Sequence, residues 1–276
     1  MSTPSPSDMH PSSGLIDPDR ALHELALATT RVREAIPAAI PDGEPAAPVP
    51  TCPGWDAVAL VEHLGGAHLW AAGAVRTGQR PGGMPTRDED VRTLQQWYAD
   101  AARELLDTLA EVPADTPAWT FAAGDRTAGF WRRRQLHETL VHAVDLALAG
   151  PRVDDLSAGQ LYAAVAPEVV ADGIDEILGV FLPRMAKGAA GRVAQVIPAA
   201  QPVALNATDA GRAWTLRTDD HTLTITTAVA DDAAAVFSGT AAALNLALWR
   251  RAGWTGIDRS GDTAVADAFV DGLRLP

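Results

Sequence analysis

Through the first two thirds of the chain, apolar residues recur at three- and four-residue intervals, the period of helices with one buried face. The pattern predicts a first helix over Asp17–Ile36. Asp17 and Pro18 mark its start, and Pro37, Pro41 and Gly43 lie beyond its end. A Pro-rich connector, PDGEPAAPVPTCPGW, leads to a second helix over 56–75, where Asp56 in the first turn complements the helix dipole. Gly65 and Gly66 fall inside that helix, where close packing against a neighbour is the expected reason for them. A third helix is expected over Arg87–Glu111 and a fourth over Trp131–Leu148, stopped by Gly150 and Pro151. Between these two, VPADTPAWTFAAGDRTAGF reads as a loop long enough to suggest a functional role. A fifth helix is expected from Ser157 to Leu182, closed by Pro183.

After Gly188 the period changes. PVALNATDAGRAWTLRTDDHTLTITTAV alternates apolar and polar residues and is rich in Thr and Val, which predicts two or three strands with TDDH as a turn. GTAAALNLALWRRAG then reads as a helix, and the tail has room for one more short helix. The expected architecture is α+β: a disordered Ser- and Pro-rich tail over 1–16, an antiparallel helical bundle over 17–188 and a smaller α+β domain over 189–276.

Composition narrows the function. The 276 residues are 47% hydrophobic and carry a formal net charge of -13, so the chain can fill a core but has no basic surface for nucleic acid or anionic membranes. Its one basic run, Arg132–Arg134, reads as a solvated helix face. A single cysteine, Cys52, excludes a disulfide framework within the chain. It lies in a Thr-Cys-Pro-Gly-Trp turn and reads as a small buried hydrophobe, with Trp55 stapling the turn to the bundle. No apolar run is long enough to span a membrane, and the N-terminus lacks the pattern of a signal peptide, so a cytoplasmic protein is expected.

The chemistry concentrates in HETLVHAVD, residues 137–145. On a helix, at about 100° per residue, Glu138 and His142 lie about 40° apart, with Asp145 about 20° to the other side of Glu138. His137 lies about 100° away and does not share this stripe. The run differs from the zincin pattern H-E-x-x-H because its facing pair is Glu–His, so the zincin role of Glu as a general base does not transfer. A Glu and a His one turn apart can both ligate a divalent cation, and catalytic sites commonly take three protein ligands. His63, amid apolar residues of the second helix, is the best third candidate, since bundle sites draw on facing helices. Asp145 would then orient His142 or contact the substrate. The alternative is a polar seam of hydrogen-bonded core residues. His10, His23, His68 and His221 have no comparable company.

TCPGWDAVALVEHLGGAHLWAA followed by FWRRRQLHETLVHAVDLALA resembles the mycothiol-dependent maleylpyruvate isomerase family, among the DinB-like metal-binding four-helix bundles. LWRRAGW…GD in the strand-rich part resembles that family's C-terminal domain more loosely. The resemblance implies a divalent metal, usually zinc, held by His63, Glu138 and His142. It implies a role in activity for Asp145 and for one arginine of the C-terminal domain, Arg251, or Arg250 by a one-residue slip. It also implies mycothiol as cosubstrate, because the sequence offers no suitable thiol of its own. In the isomerase reaction the thiolate adds to the conjugated double bond of maleylpyruvate, the resulting single bond rotates, and elimination gives fumarylpyruvate. An arginine suits the substrate carboxylate.

The family name covers proteins with other substrates, so a mycothiol S-transferase is an equal expectation, with the loop around Trp119–Arg126 and the domain cleft choosing the electrophile. Nickel, iron and manganese suit the same donors as zinc. A different class of reading is a non-catalytic ligand- or partner-binding bundle with a structural metal or none.

Overall fold

Asp17 opens α1 (Pro18–Ala39) by accepting from the backbone N–H groups of Asp19 and Arg20, while Pro18 takes the first helical position, where no N–H is needed. The helix runs past its expected end at Ile36, through Pro37. Pro37 cannot donate to the Arg33 carbonyl; Gln95 donates to it instead through Nε2, at 3.2 Å. In this computed structural model the described residues are 16–41, 45–88, 93–122, 124–149, 160, 162, 164–187, 197, 201–219 and 222–273. The tail over 1–15, the stop at Gly150 and Pro151, the start of a helix at Ser157, His10, and the end of the TDDH turn with His221 lie outside them.

Asp56 caps α2 (Ala57–Thr77) by accepting from the Ala59 N–H, and Gly78, at φ 68°, ends it in the left-handed conformation that favours glycine. The third helix starts later than expected. Thr93 and Gln96 form a capping box that opens α3 (Leu94–Glu111), whereas Arg87, the expected start, lies outside the helix and pairs with Glu62 at 2.8 Å. α4 (Ala128–Leu148) begins slightly before its expected start. Ahead of it the long loop is pinned: Asp125 accepts from the Thr127 N–H and hydroxyl, and Trp131 donates its indole N–H to the Trp119 carbonyl at 2.7 Å.

These four helices form the bundle, α1 packing on α4 and α3, and α2 on α3 and α4. Its core joins Leu60, Val61 and Leu64 of α2 to Val32, Ile36, Trp97, Tyr98 and Leu146. A Cβ on Gly65 would lie 2.3 Å from the Trp97 ring, and one on Gly66 would lie 2.7 Å from the Pro85 carbonyl oxygen. Close packing therefore accounts for both glycines. Gly65→Ala is expected to destabilise the protein by about 1–3 kcal/mol through overpacking. A denaturant midpoint equal to wild type would contradict this.

The Arg132–Arg134 run is not a solvated face. All three side chains are buried. Arg132 donates to the Leu109 and Val112 carbonyls at the end of α3 and to Asp19, an arrangement that satisfies carbonyls left open where a helix stops. A charge run carries no record of such partners, which come from elsewhere in the chain.

The described residues divide into two compact units, Ile16–Ser157 and Ala158–Pro276. The expected fifth helix belongs to the second unit rather than to the bundle, because α5 (Pro167–Glu176) packs on α7 (Ala241–Leu248). Pro183 does not end it. A π-helical turn at Ile177–Phe181, in which the Leu182 N–H bonds the Ile177 carbonyl, widens the backbone just before the proline, and α6 (Leu182–Lys187) continues. The second unit also holds β1 (Val203–Ala207), β2 (Arg212–Asp219), β3 (Thr222–Thr226), β4 (Ala235–Gly239), β5 (Asp258–Gly261) and α8 (Thr263–Gly272). The sheet order is β3-β2-β1-β4-β5, with β1 and β4 parallel and the other pairs antiparallel. The first three strands occupy the predicted segment. The last two lie outside that segment; every residue of β5 is exposed, which removes the alternation that marks a strand. No described helix is long and apolar enough to cross a membrane.

Candidate metal centre

α2 contributes His63, and α4 contributes Glu138, His142 and Asp145. Glu138 Oε1 lies 3.2 Å from His63 Nε2 and 3.3 Å from His142 Nε2. The two imidazole rings stand nearly edge to face, with centroids 5.2 Å apart. One donor atom from each of the three residues lies within 4.8 Å of the others. Two imidazole nitrogens and a carboxylate oxygen are a donor set that zinc accepts, and the mutual spacing lets a single divalent ion reach all three.

The groups around this cluster hold it in place. Arg134, one turn before Glu138 on α4, donates from Nη2 to Glu138 Oε2 at 2.8 Å. On the far side of the His142 ring, Nδ1 lies 2.9 Å from Asp145 Oδ2. Asp145 is fully buried and also accepts from the Thr51 hydroxyl at 2.6 Å. Its contacts include His142 and the 51–52 turn. The indole of Trp55 covers both histidines, its centroid 4.7 Å from the His63 ring and 6.4 Å from the His142 ring.

The charges are strongly coupled. Burial opposes ionisation of Glu138, but the Arg134 guanidinium and a protonated His142 outweigh it and hold the carboxyl well below its usual range. Burial likewise opposes protonation of His142, yet Glu138 and the hydrogen bond to Asp145 raise its pKa well above the usual value. His68 behaves differently. Full burial lowers its pKa to about 4, so the ring is neutral, with Nδ1 donating to Gln135 Oε1 at 2.7 Å and Nε2 facing the Tyr98 hydroxyl. It is a satisfied core histidine. His23 is exposed, and His137, though buried, takes no part in the three-donor cluster.

Cys52 is closer to this chemistry than its turn suggested. Its Sγ lies 3.5 Å from Asp145 Oδ2, and the donor atoms of Cys52, His142 and Asp145 form a second close group. Neither Thr51 nor Cys52 could be placed here from spacing, since 94 and 93 residues separate them from Asp145. Arg134 was findable, because an Arg and a Glu four apart face each other on a helix.

In the second unit, Arg251 follows α7. Its Nη1 donates to the Trp249 carbonyl at 2.8 Å, and its guanidinium lies over the Trp249 ring. Arg250 adopts the left-handed conformation, at φ 60°, and donates to the Leu273 carbonyl. Both line a cavity of about 410 Å³ with Trp254 and Asp271.

A four-helix bundle that gathers two histidines and a glutamate, in one chain with an α+β unit, defines a two-part protein class whose candidate metal site lies wholly in the helical part. Residues 25–147 match the model of the mycothiol maleylpyruvate isomerase N-terminal domain, and residues 168–268 match that of the MDMPI C-terminal domain. The chain belongs to the mycothiol-dependent maleylpyruvate isomerase family. Its fold is similar to the crystal structure of the mycothiol-dependent maleylpyruvate isomerase, at 16% identity and a TM-score of 0.55, covering 90% of this chain and 95% of that one. A histidine-to-alanine mutant of that isomerase matches equally, at 15% identity, a TM-score of 0.55 and the same coverage. No curated protein matches the chain.

Proposed function

We propose that the protein is a divalent-metal-dependent, mycothiol-utilising enzyme in which the thiol sulfur attacks a small electrophilic substrate, as a thiol S-transferase or a maleylpyruvate-type cis-trans isomerase. The observation that carries this reading is the convergence of His63 and His142 on one oxygen of Glu138, in a chain of this family. His63, Glu138 and His142 would hold the ion, with zinc the best fit to the donor set. When bound, such an ion deprotonates a coordinating thiol, which otherwise stays mostly protonated at neutral pH.

The chain's own groups do the rest. Asp145 holds the Nδ1 side of His142, so that Nε2 faces the cluster. Trp55 covers one side of both rings and limits access of water to them. Arg251, with Arg250 as the neighbouring alternative, is the proposed holder of a substrate carboxylate, for which a planar guanidinium is suited. A cytoplasmic location belongs to the same proposal.

The test is metal content by elemental analysis, combined with turnover of maleylpyruvate and of a panel of thiol-reactive electrophiles. The expected result is one metal ion per chain, turnover only with mycothiol present, and loss of turnover on chelation that added zinc restores. Absence of bound metal under metal-replete purification, or turnover indifferent to chelation, would remove the basis of the proposal.

A further inference from the structure

We propose that Arg134 is a positioning residue that clamps one oxygen of Glu138, so that the other oxygen alone is presented to the two histidines. This rests on the metal-site reading above. The Arg134 side chain is 2% exposed. Its Nη2 holds Glu138 Oε2 at 2.8 Å, while Oε1 sits 3.2 Å and 3.3 Å from the two Nε2 atoms. An isolated carboxylate has two equivalent oxygens and rotates about its terminal bond. A planar guanidinium removes that freedom, because its donors point in fixed directions. The run of three arginines thus divides its work: Arg132 closes the end of α3, and Arg134 sets the face that Glu138 turns to the cluster.

Orientation and charge predict opposite signs. As a positive charge beside the cluster, Arg134 repels a cation, so a purely electrostatic role makes metal binding tighter when it is removed. An orienting role makes binding weaker, because Glu138 must then be ordered as the metal binds. A residue that merely supports the fold would lower the melting temperature and leave the affinity of the folded protein unchanged.

Zinc affinity, measured by competition with a chromophoric chelator on the full chain, decides among these. For Arg134→Gln the expected result is a loss of about 10- to 100-fold, the usual effect of removing a partner that orients a metal ligand. Arg134→Lys, which keeps the charge without the planar fork, is expected to bind more weakly than wild type as well. In the cobalt-substituted protein, freeing Oε2 lets both oxygens ligate, which raises the coordination number and weakens the visible absorption. Unchanged or tighter zinc binding by folded Arg134→Gln overturns the clamp. If Arg134→Gln does not fold, Arg134→Lys decides: weaker binding supports the clamp and wild-type affinity overturns it. Wild type that binds neither zinc nor cobalt overturns the metal reading itself and the clamp with it, whereas binding by wild type together with unchanged binding by the variants overturns the clamp alone.

Discussion

Glu138→Gln is expected to abolish stoichiometric metal binding and, with it, turnover. The carboxylate supplies the only negative charge among the three converging donors, the other two being imidazoles. An amide keeps the shape but not the charge, and it offers a far weaker ligand to a divalent ion. A bound ion contributes several kcal/mol to a reaction of this kind, which corresponds to a loss of about a thousandfold or more in rate. The substitution also leaves the buried Arg134 without its carboxylate partner. Breaking a buried pair costs up to about 3–5 kcal/mol, and the other interactions of Arg134 reduce that figure. Melting temperature and metal content must therefore be read together. A variant that melts earlier yet retains one ion per chain would show that Glu138 is structural and not a ligand. His63→Ala and His142→Ala provide the companion test, since each removes one donor and leaves Arg134 paired.

The second large effect is expected at Asp145, a group outside the three-donor cluster. Asp145→Ala keeps all three donors but removes the acceptor at 2.9 Å from His142 Nδ1. The imidazole then loses its fixed orientation and part of its basicity, and metal affinity is expected to fall about 10- to 100-fold. The Thr51 hydroxyl loses its partner in the same step. Asp145→Asn keeps an acceptor without the charge and is expected to lie between wild type and Asp145→Ala. Zinc affinity equal to wild type in a folded Asp145→Ala would show that His142 is held without Asp145, by contacts such as those with Trp55 and Glu138. Retained affinity with lost turnover would instead assign Asp145 a role in the reaction, despite its burial.

The candidate donors are legible in the sequence because helical periodicity governs them. Glu138 and His142 share a face by spacing alone, and His63 was found as a polar residue set among apolar ones on a neighbouring helix. What spacing could not reach were the contacts made by turns. Thr51, Cys52 and Trp55 arrive at Asp145 and the histidines through a connector whose path depends on tertiary packing. The arginine run misled for a related reason. Surface exposure is the usual fate of adjacent charges, whereas the open carbonyls at the end of α3 with Asp19, and the carboxylate of Glu138, provide partners for the buried Arg132 and Arg134. In the second unit the alternating segment located β1 to β3, but the crossover that pairs β1 with β4 in parallel has no local signal.

His63, Glu138 and His142, with Arg134, Asp145 and Thr51 around them, all come from the unit spanning Ile16–Ser157, and the sheet-bearing unit contributes none of these groups. Inheritance can therefore act on the two halves separately. Substitutions among the strands and around Arg250 and Arg251 alter none of the three candidate donors, so the two halves can change in sequence separately. Under the proposed function, selection for a new electrophile would leave its record as low divergence at the candidate donors and the groups around them against higher divergence elsewhere in the gene.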